Sequence, residues 1–80
     1  MLTLAELSKG QSATVLDVVG NDAIAVRLME MGITEGETVR IVGAAPLGDP
    51  LEIAVRGYKL SLRRVEAARI GVELLSTSPS

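Results

Sequence analysis

The chain has 80 residues, enough for one domain with a modest core. Hydrophobic residues make up 48% of it, yet there is one Tyr and no Phe or Trp, so the core must be built from Leu, Ile, Val, Ala and Met. With no Cys, no His and a net charge of −2, a disulfide scaffold is excluded, thiol and imidazole catalysis are excluded, and nothing in the overall charge argues for nucleic acid.

In chain order, Thr3 to Glu6 reads Thr-x-x-Glu, a capping box ahead of Leu4 and Leu7. It predicts a short N-terminal helical turn ending near Ser8-Lys9-Gly10, plugging one end of a barrel. Gln11 to Val19 is the first predicted strand, rich in Val and Leu. Its apolar parity shifts between Val15 and Leu16, which calls for either a bulge or burial on both faces. Gly20 ends it, and Asn21 or Asp22 can cap the helix that follows. That helix spans about 21–32. Ile24, Ala25, Leu28, Met29 and Met31 form its apolar stripe, with the methionines expected as core filler, while Arg27 and Glu30 form a polar edge. Gly32 suits the left-handed position that ends a helix, and Ile33 can then fold back onto Leu28 or Met29.

Thr34 to Glu37 is a polar turn. Thr38 to Ala44 alternates as a half-buried strand, with Val39 and Ile41 on one side and Thr38 and Arg40 on the other. The loop Ala45-Pro46-Leu47-Gly48-Asp49-Pro50 follows. Leu51, Ile53 and Val55 alternate with polar or small residues in the next strand. Gly57 marks a hairpin, and Tyr58, Leu60 and Leu62 line its return. Arg63 to Arg69 fits a single helical turn. Ile70, Val72 and Leu74 form a final strand. The fold class is therefore mainly β: five short strands in a small, nearly closed barrel with one inserted helix. The domain is placed at 1–75, with 76–80 expected as a disordered tail. No apolar run approaches the ~18–20 residues of a membrane span, and the N-terminus lacks the pattern of a secretory signal.

The phrase LMEMGITEGETVRIVGAAPLGDPLEIAV, from Leu28 to Val55, resembles the FeoA family of small bacterial proteins of ferrous iron uptake. The APLGDP loop after the GITEGETV turn carries most of that resemblance, and LSLRRVEAARIGVEL at Leu60 to Leu74 extends it. The resemblance implies an SH3-like barrel with a helix insertion. It implies a cytoplasmic, non-enzymatic accessory protein whose partner is FeoB, a membrane transporter with a G-protein domain. A similar barrel closes repressors of the DtxR type. That leaves an alternative: a stand-alone SH3-like module binding a peptide or a metal-responsive transcription regulator.

Candidate chemistry is sparse. The carboxylates Glu35/Glu37 and Asp49/Glu52 read as solvated turn charges, and no catalytic residue and no cofactor are expected. Met29 and Met31 are soft ligands better matched to copper(I) than to iron(II). Asp49 and Glu52 alone offer only a weak, hydrated transition-metal site. Arg56, Lys59, Arg63, Arg64 and Arg69 make the C-terminal third basic, but Tyr58 is the sole stacking side chain, so a solvated face or an acidic protein surface explains them better than nucleic acid. Pro46 and Pro50 stiffen the loop between them. Either Leu47-Gly48-Asp49 projects as a rigid tip for a partner pocket, or Leu47 folds back on the barrel and Asp49 caps the turn. Leu47, Gly48 and Asp49, with Arg27 and Glu30 on the helix edge, are the candidate partner-binding residues. Exposed aliphatic side chains make weak self-association a further expectation.

Overall fold

The computed structural model describes residues 1–75, so the expected disordered tail at 76–80 lies outside the described residues. The elements run, in order, as a 3₁₀ turn at Leu4–Glu6, β1 at Ser12–Val18, α1 at Ala23–Glu30, β2 at Thr38–Ala44, β3 at Leu51–Val55, β4 at Tyr58–Leu62, α2 at Arg64–Ala67 and β5 at Ile70–Leu74. The five strands form one antiparallel sheet in the order β4-β3-β2-β1-β5. This is the expected mainly-β fold with one inserted helix.

Two bulges bend the sheet. In β1 the register against β5 shifts between Val15 and Asp17, and Leu16 is the extra residue. This settles the parity break read from the sequence: Leu16 turns outward while Ala13 and Val15 are buried. In β2 the register against β3 shifts between Ile41 and Gly43 and leaves Val42 unmatched. The bent sheet wraps one aliphatic core of Val15, Leu28, Ile33, Val39, Ile41, Ile53 and their neighbours. Leu4 and Leu7 close one end of it, as the plug reading requires. The N-terminal turn is shorter than expected, because the chain is already extended at Leu7. The N–H of Thr3 donates to the Glu6 carboxylate (2.7 Å), and Val72 donates to the carbonyl of Leu2 (2.9 Å), which covers part of the β5 edge.

Helix α1 starts and stops where residue chemistry dictates. Asp22 Oδ1 accepts from the N–H of Ala25 at 3.2 Å, an N-cap bond. At the other end Ile33 donates to the carbonyl of Leu28 (3.1 Å) and Gly32 to that of Met29 (3.0 Å), the two bonds of a Schellman motif. Gly32 has φ +100° and Ile33 is fully buried. The stripe is narrower than predicted. Ala25 and Leu28 are buried, Ile24 and Met31 pack at the core's margin, but Met29 is 43% exposed. Met29 is thus not core filler: it lines an open surface pocket together with Leu16 of the bulge.

The Arg56–Gly57 turn of the β3–β4 hairpin has positive φ at both residues, the type I′ geometry that matches strand twist. Tyr58 is more exposed than its strand parity implies. Its ring leaves the core for the end of α1, where the hydroxyl donates to the carbonyl of Met31.

Candidate functional site

The Ala45–Pro50 loop is a short closed turn. Ala45 donates to the carbonyl of Pro50 (3.0 Å), and Gly48 to that of Ala45 (2.7 Å). Leu47 stands at its apex, 97% exposed. The fold-back alternative is therefore not what the chain adopts. Asp49 does not cap its own turn either: its Oδ1 accepts from the N–H of Arg64 at 3.0 Å, at the free N-terminus of α2.

Arg64 completes the anchorage. Its Nε donates to the carbonyl of Gly48 (2.6 Å) and its NH1 to that of Ala5 (3.1 Å). One guanidinium thus ties the loop to the N-terminal turn. Sequence reasoning counted Arg64 only as part of a basic run. Nothing in its local pattern reveals a bond to a loop sixteen residues earlier. Arg64→Ala is expected to lower stability by about 1–2 kcal/mol, the loss of two charge-assisted bonds at an exposed site. Urea unfolding of the variant, with an unchanged m-value, checks this.

The helix edge is arranged differently. Arg27 donates to Glu66 of α2, whose carboxylate also accepts from the N–H of Arg63 at 2.9 Å. Glu66 is 8% exposed, so its charge is matched rather than solvated. Glu30 is exposed and makes no ion pair among the described residues. Helix α2 is the common support: Arg64 holds Gly48, its first N–H holds Asp49, and Glu66 holds Arg27.

A second tie runs from α1 to the residue before β5. Arg69 NH1 lies 2.5 Å from Asp22 Oδ1. The hydrogen bond from Arg69, followed by that from the Ala25 N–H, holds the Asp22 carboxyl below its ordinary value, and Asp22 in turn raises Arg69. A carboxyl with a depressed folded pKa stabilises above its unfolded value and loses that contribution as pH falls through the folded one. The Tm gap between wild type and Asp22→Asn is therefore expected to be fully open at neutral pH and to close below the normal carboxylate range. Thermal melts across that range, monitored by circular dichroism, test it.

No group of three or more His, Cys, Asp or Glu is placed to hold a metal ion among the described residues. No helix is long and apolar enough to cross a membrane.

Comparison with known proteins places this architecture. The model of the FeoA domain matches residues 2–74. The chain belongs to the FeoA family. It is 40% identical, over 96% of its length, to a Fe(2+) transport protein A/Fe(2+) transporter FeoB fusion protein of Porphyromonas gingivalis. It spans only 9% of that relative. Among solved structures, the FeoA-like protein of Clostridium acetobutylicum superposes with a TM-score of 0.90 at 37% identity, covering 99% of this chain and 92% of that one. The FeoA of Stenotrophomonas maltophilia, a procaryotic SH3 domain protein solved with zinc, gives 0.81 at 43% identity and 91% of both chains. A manganese-dependent transcriptional repressor shares the fold alone, with a TM-score of 0.84 at 20% identity over 92% of this chain and 36% of its own. The family and the SH3-like barrel expected from the APLGDP phrase are both found.

Proposed function

We propose that this member of the FeoA family is a non-enzymatic accessory protein of bacterial ferrous iron uptake that works by docking on a FeoB-like transporter in the cytoplasm. The observation that carries this reading is the fused relative, in which the same domain and FeoB are one polypeptide. Covalent fusion holds two modules at high effective concentration, which benefits modules that act on each other.

The Leu47-Gly48-Asp49 tip is the contact we assign to that docking. A bare leucine on a loop held by four hydrogen bonds loses little freedom on entering a partner pocket. Glu30, exposed on the helix edge, is assigned to the same partner. Arg27, engaged with Glu66, positions that edge. The alternative reading, a module acting on a metal-responsive transcription regulator, has only fold likeness behind it.

The test is made in the host. A strain lacking the chain should take up ferrous iron more slowly, and the tagged chain should recover a FeoB-like transporter from detergent-solubilised membranes. Unchanged uptake, or recovery of a transcription regulator in place of the transporter, would overturn the reading.

A further inference from the structure

The outer face of the sheet carries a second surface, unrelated to the loop tip. The chain has eight Lys and Arg side chains. Four are engaged inside the fold: Arg27 with Glu66, Arg56 with Glu37, Arg69 with Asp22, and Arg64 with the carbonyls of Gly48 and Ala5. Of the remaining four, Lys9 and Arg40 line one open groove, Lys59 stands beside it across Ala54, and Arg63 lies elsewhere, against Asp49 and Pro50.

The groove has a volume of about 320 Å³ and is lined by Lys9, Gly10, Arg40, Val42 and Ala54, with the buried Ile41 beneath. Cross-strand register explains the convergence. Arg40 pairs with Ala54, and Ala54 pairs with Lys59, so the three side chains share a face. Two strand spacings put the Arg40 and Lys59 backbones ~10 Å apart, with only a methyl group between them. The unmatched Val42 of the β2 bulge also lines the groove. Lys9, Arg40 and Lys59 are all exposed, and none makes an ion pair or a side-chain hydrogen bond among the described residues. Carboxylates share the outer face too: Glu52, beside Gly43 and diagonal to Arg40 and Lys59, and, farther off on β5, Glu73, which pairs with Thr14 across from Thr38.

We infer that this groove is a docking site for an extended acidic protein segment, with its carboxylates on Lys9, Arg40 and Lys59 and a small apolar side chain over Ala54 and Val42. A chain with net charge −2 that sets three cations, none ion-paired among the described residues, against the one neighbouring carboxylate of Glu52 presents a local charge opposite to its own average. A strand with acidic residues at alternate positions spaces its charges ~7 Å apart on one face, within the sweep of these long side chains. Nucleic acid fits less well. It needs aromatic surfaces to stack on, and the one tyrosine is spent on the carbonyl of Met31. A free phosphate fits less well too, because the groove is open and its floor is apolar.

The probe is a fluorescent synthetic peptide alternating Glu with Val, titrated into the full chain and followed by anisotropy and by ¹H–¹⁵N NMR. Shifts are expected at Lys9, Gly10, Arg40, Val42, Ala54 and Lys59, with little change at Leu47. Affinity should fall about tenfold or more in the Arg40→Glu/Lys59→Glu double variant, and also fall as salt shortens the range of the charges. Both substitutions lie on the exposed face, so an unchanged melting temperature confirms that the fold is kept. Lys9→Glu alone, outside the strands, should weaken binding in the same direction. The inference is overturned if the peptide causes no shifts, if they fall on the Leu47 loop or on a contact between copies of the chain, or if an oligothymidylate competes equally well. These outcomes are independent of FeoB recovery, so this site and the docking tip fail separately.

Discussion

Leu47→Asp is expected to weaken association with the FeoB-like transporter by roughly 30-fold or more while leaving the melting temperature unchanged. The size follows from the exposure. A leucine that is 97% exposed contributes nothing to the core, so its substitution costs no folding energy. In a complex the same side chain passes wholly from water into a pocket, which is worth about 2 kcal/mol for a well-buried anchor. That difference is roughly 30-fold in affinity, and a buried aspartate without a partner adds to it. Val65 is the control. It stands exposed on α2 beside the tip's anchor, and Val65→Asp should cost far less if the apex is the anchor. Surface plasmon resonance on transporter reconstituted in nanodiscs measures both. Equal, small effects for the two variants would move the contact off the loop.

Gly32→Ala is the most damaging single-methyl change we expect. Two costs coincide there. A side chain at φ +100° is strained, by ~1–2 kcal/mol. The new Cβ would also lie 2.7 Å from the Tyr58 hydroxyl and 3.4 Å from Arg56 Cδ, so the ring must move and give up its bond to Met31. Together we expect a loss of about 2–3 kcal/mol, or roughly 10–20 °C in Tm for a domain of this size. The whole domain is worth only about 4–12 kcal/mol, so that is a large share. Gly36 separates the two costs. It has φ +89° with open space around it, so Gly36→Ala should show the strain alone. Tyr58→Phe in the Gly32→Ala background should recover part of the loss by removing the colliding oxygen. Thermal and urea unfolding of the four proteins would decide it, and equal losses at Gly32 and Gly36 would count against the collision.

Much of the fold was legible because it rests on local chemistry. Gly32 and Ile33 announce the end of α1 through a motif contained within six residues. Leu51, Ile53 and Val55 announce a half-buried strand through parity alone, and all three are buried. The bulge at Leu16 was half legible: the break in parity showed, but the choice between bulge and double burial depends on β5, which lies over fifty residues away. Met29 was misread for the same reason, because helical periodicity marks an apolar stripe and cannot say how wide the seat beneath it is. At the candidate site the stiffness of the loop was readable from its two prolines. The direction of Leu47 was not, since it is fixed by Arg64 and by the N-terminus of α2. The groove flanked by Arg40 and Lys59 was visible only as polar positions on separate strands. Their meeting is a matter of register, which no single strand reveals.

Helix α1 buries only Ala25 and Leu28 completely, and polar ties at its two ends and middle secure the rest: Asp22 to Arg69, Arg27 to Glu66, and the Tyr58 hydroxyl to Met31. Such a segment is expected to open ahead of the sheet it rests on. Its amides should therefore exchange with deuterium sooner than those of β2 and β3, and sooner still at high ionic strength. The protein would then carry a latch fastened by charge on a frame fastened by oil.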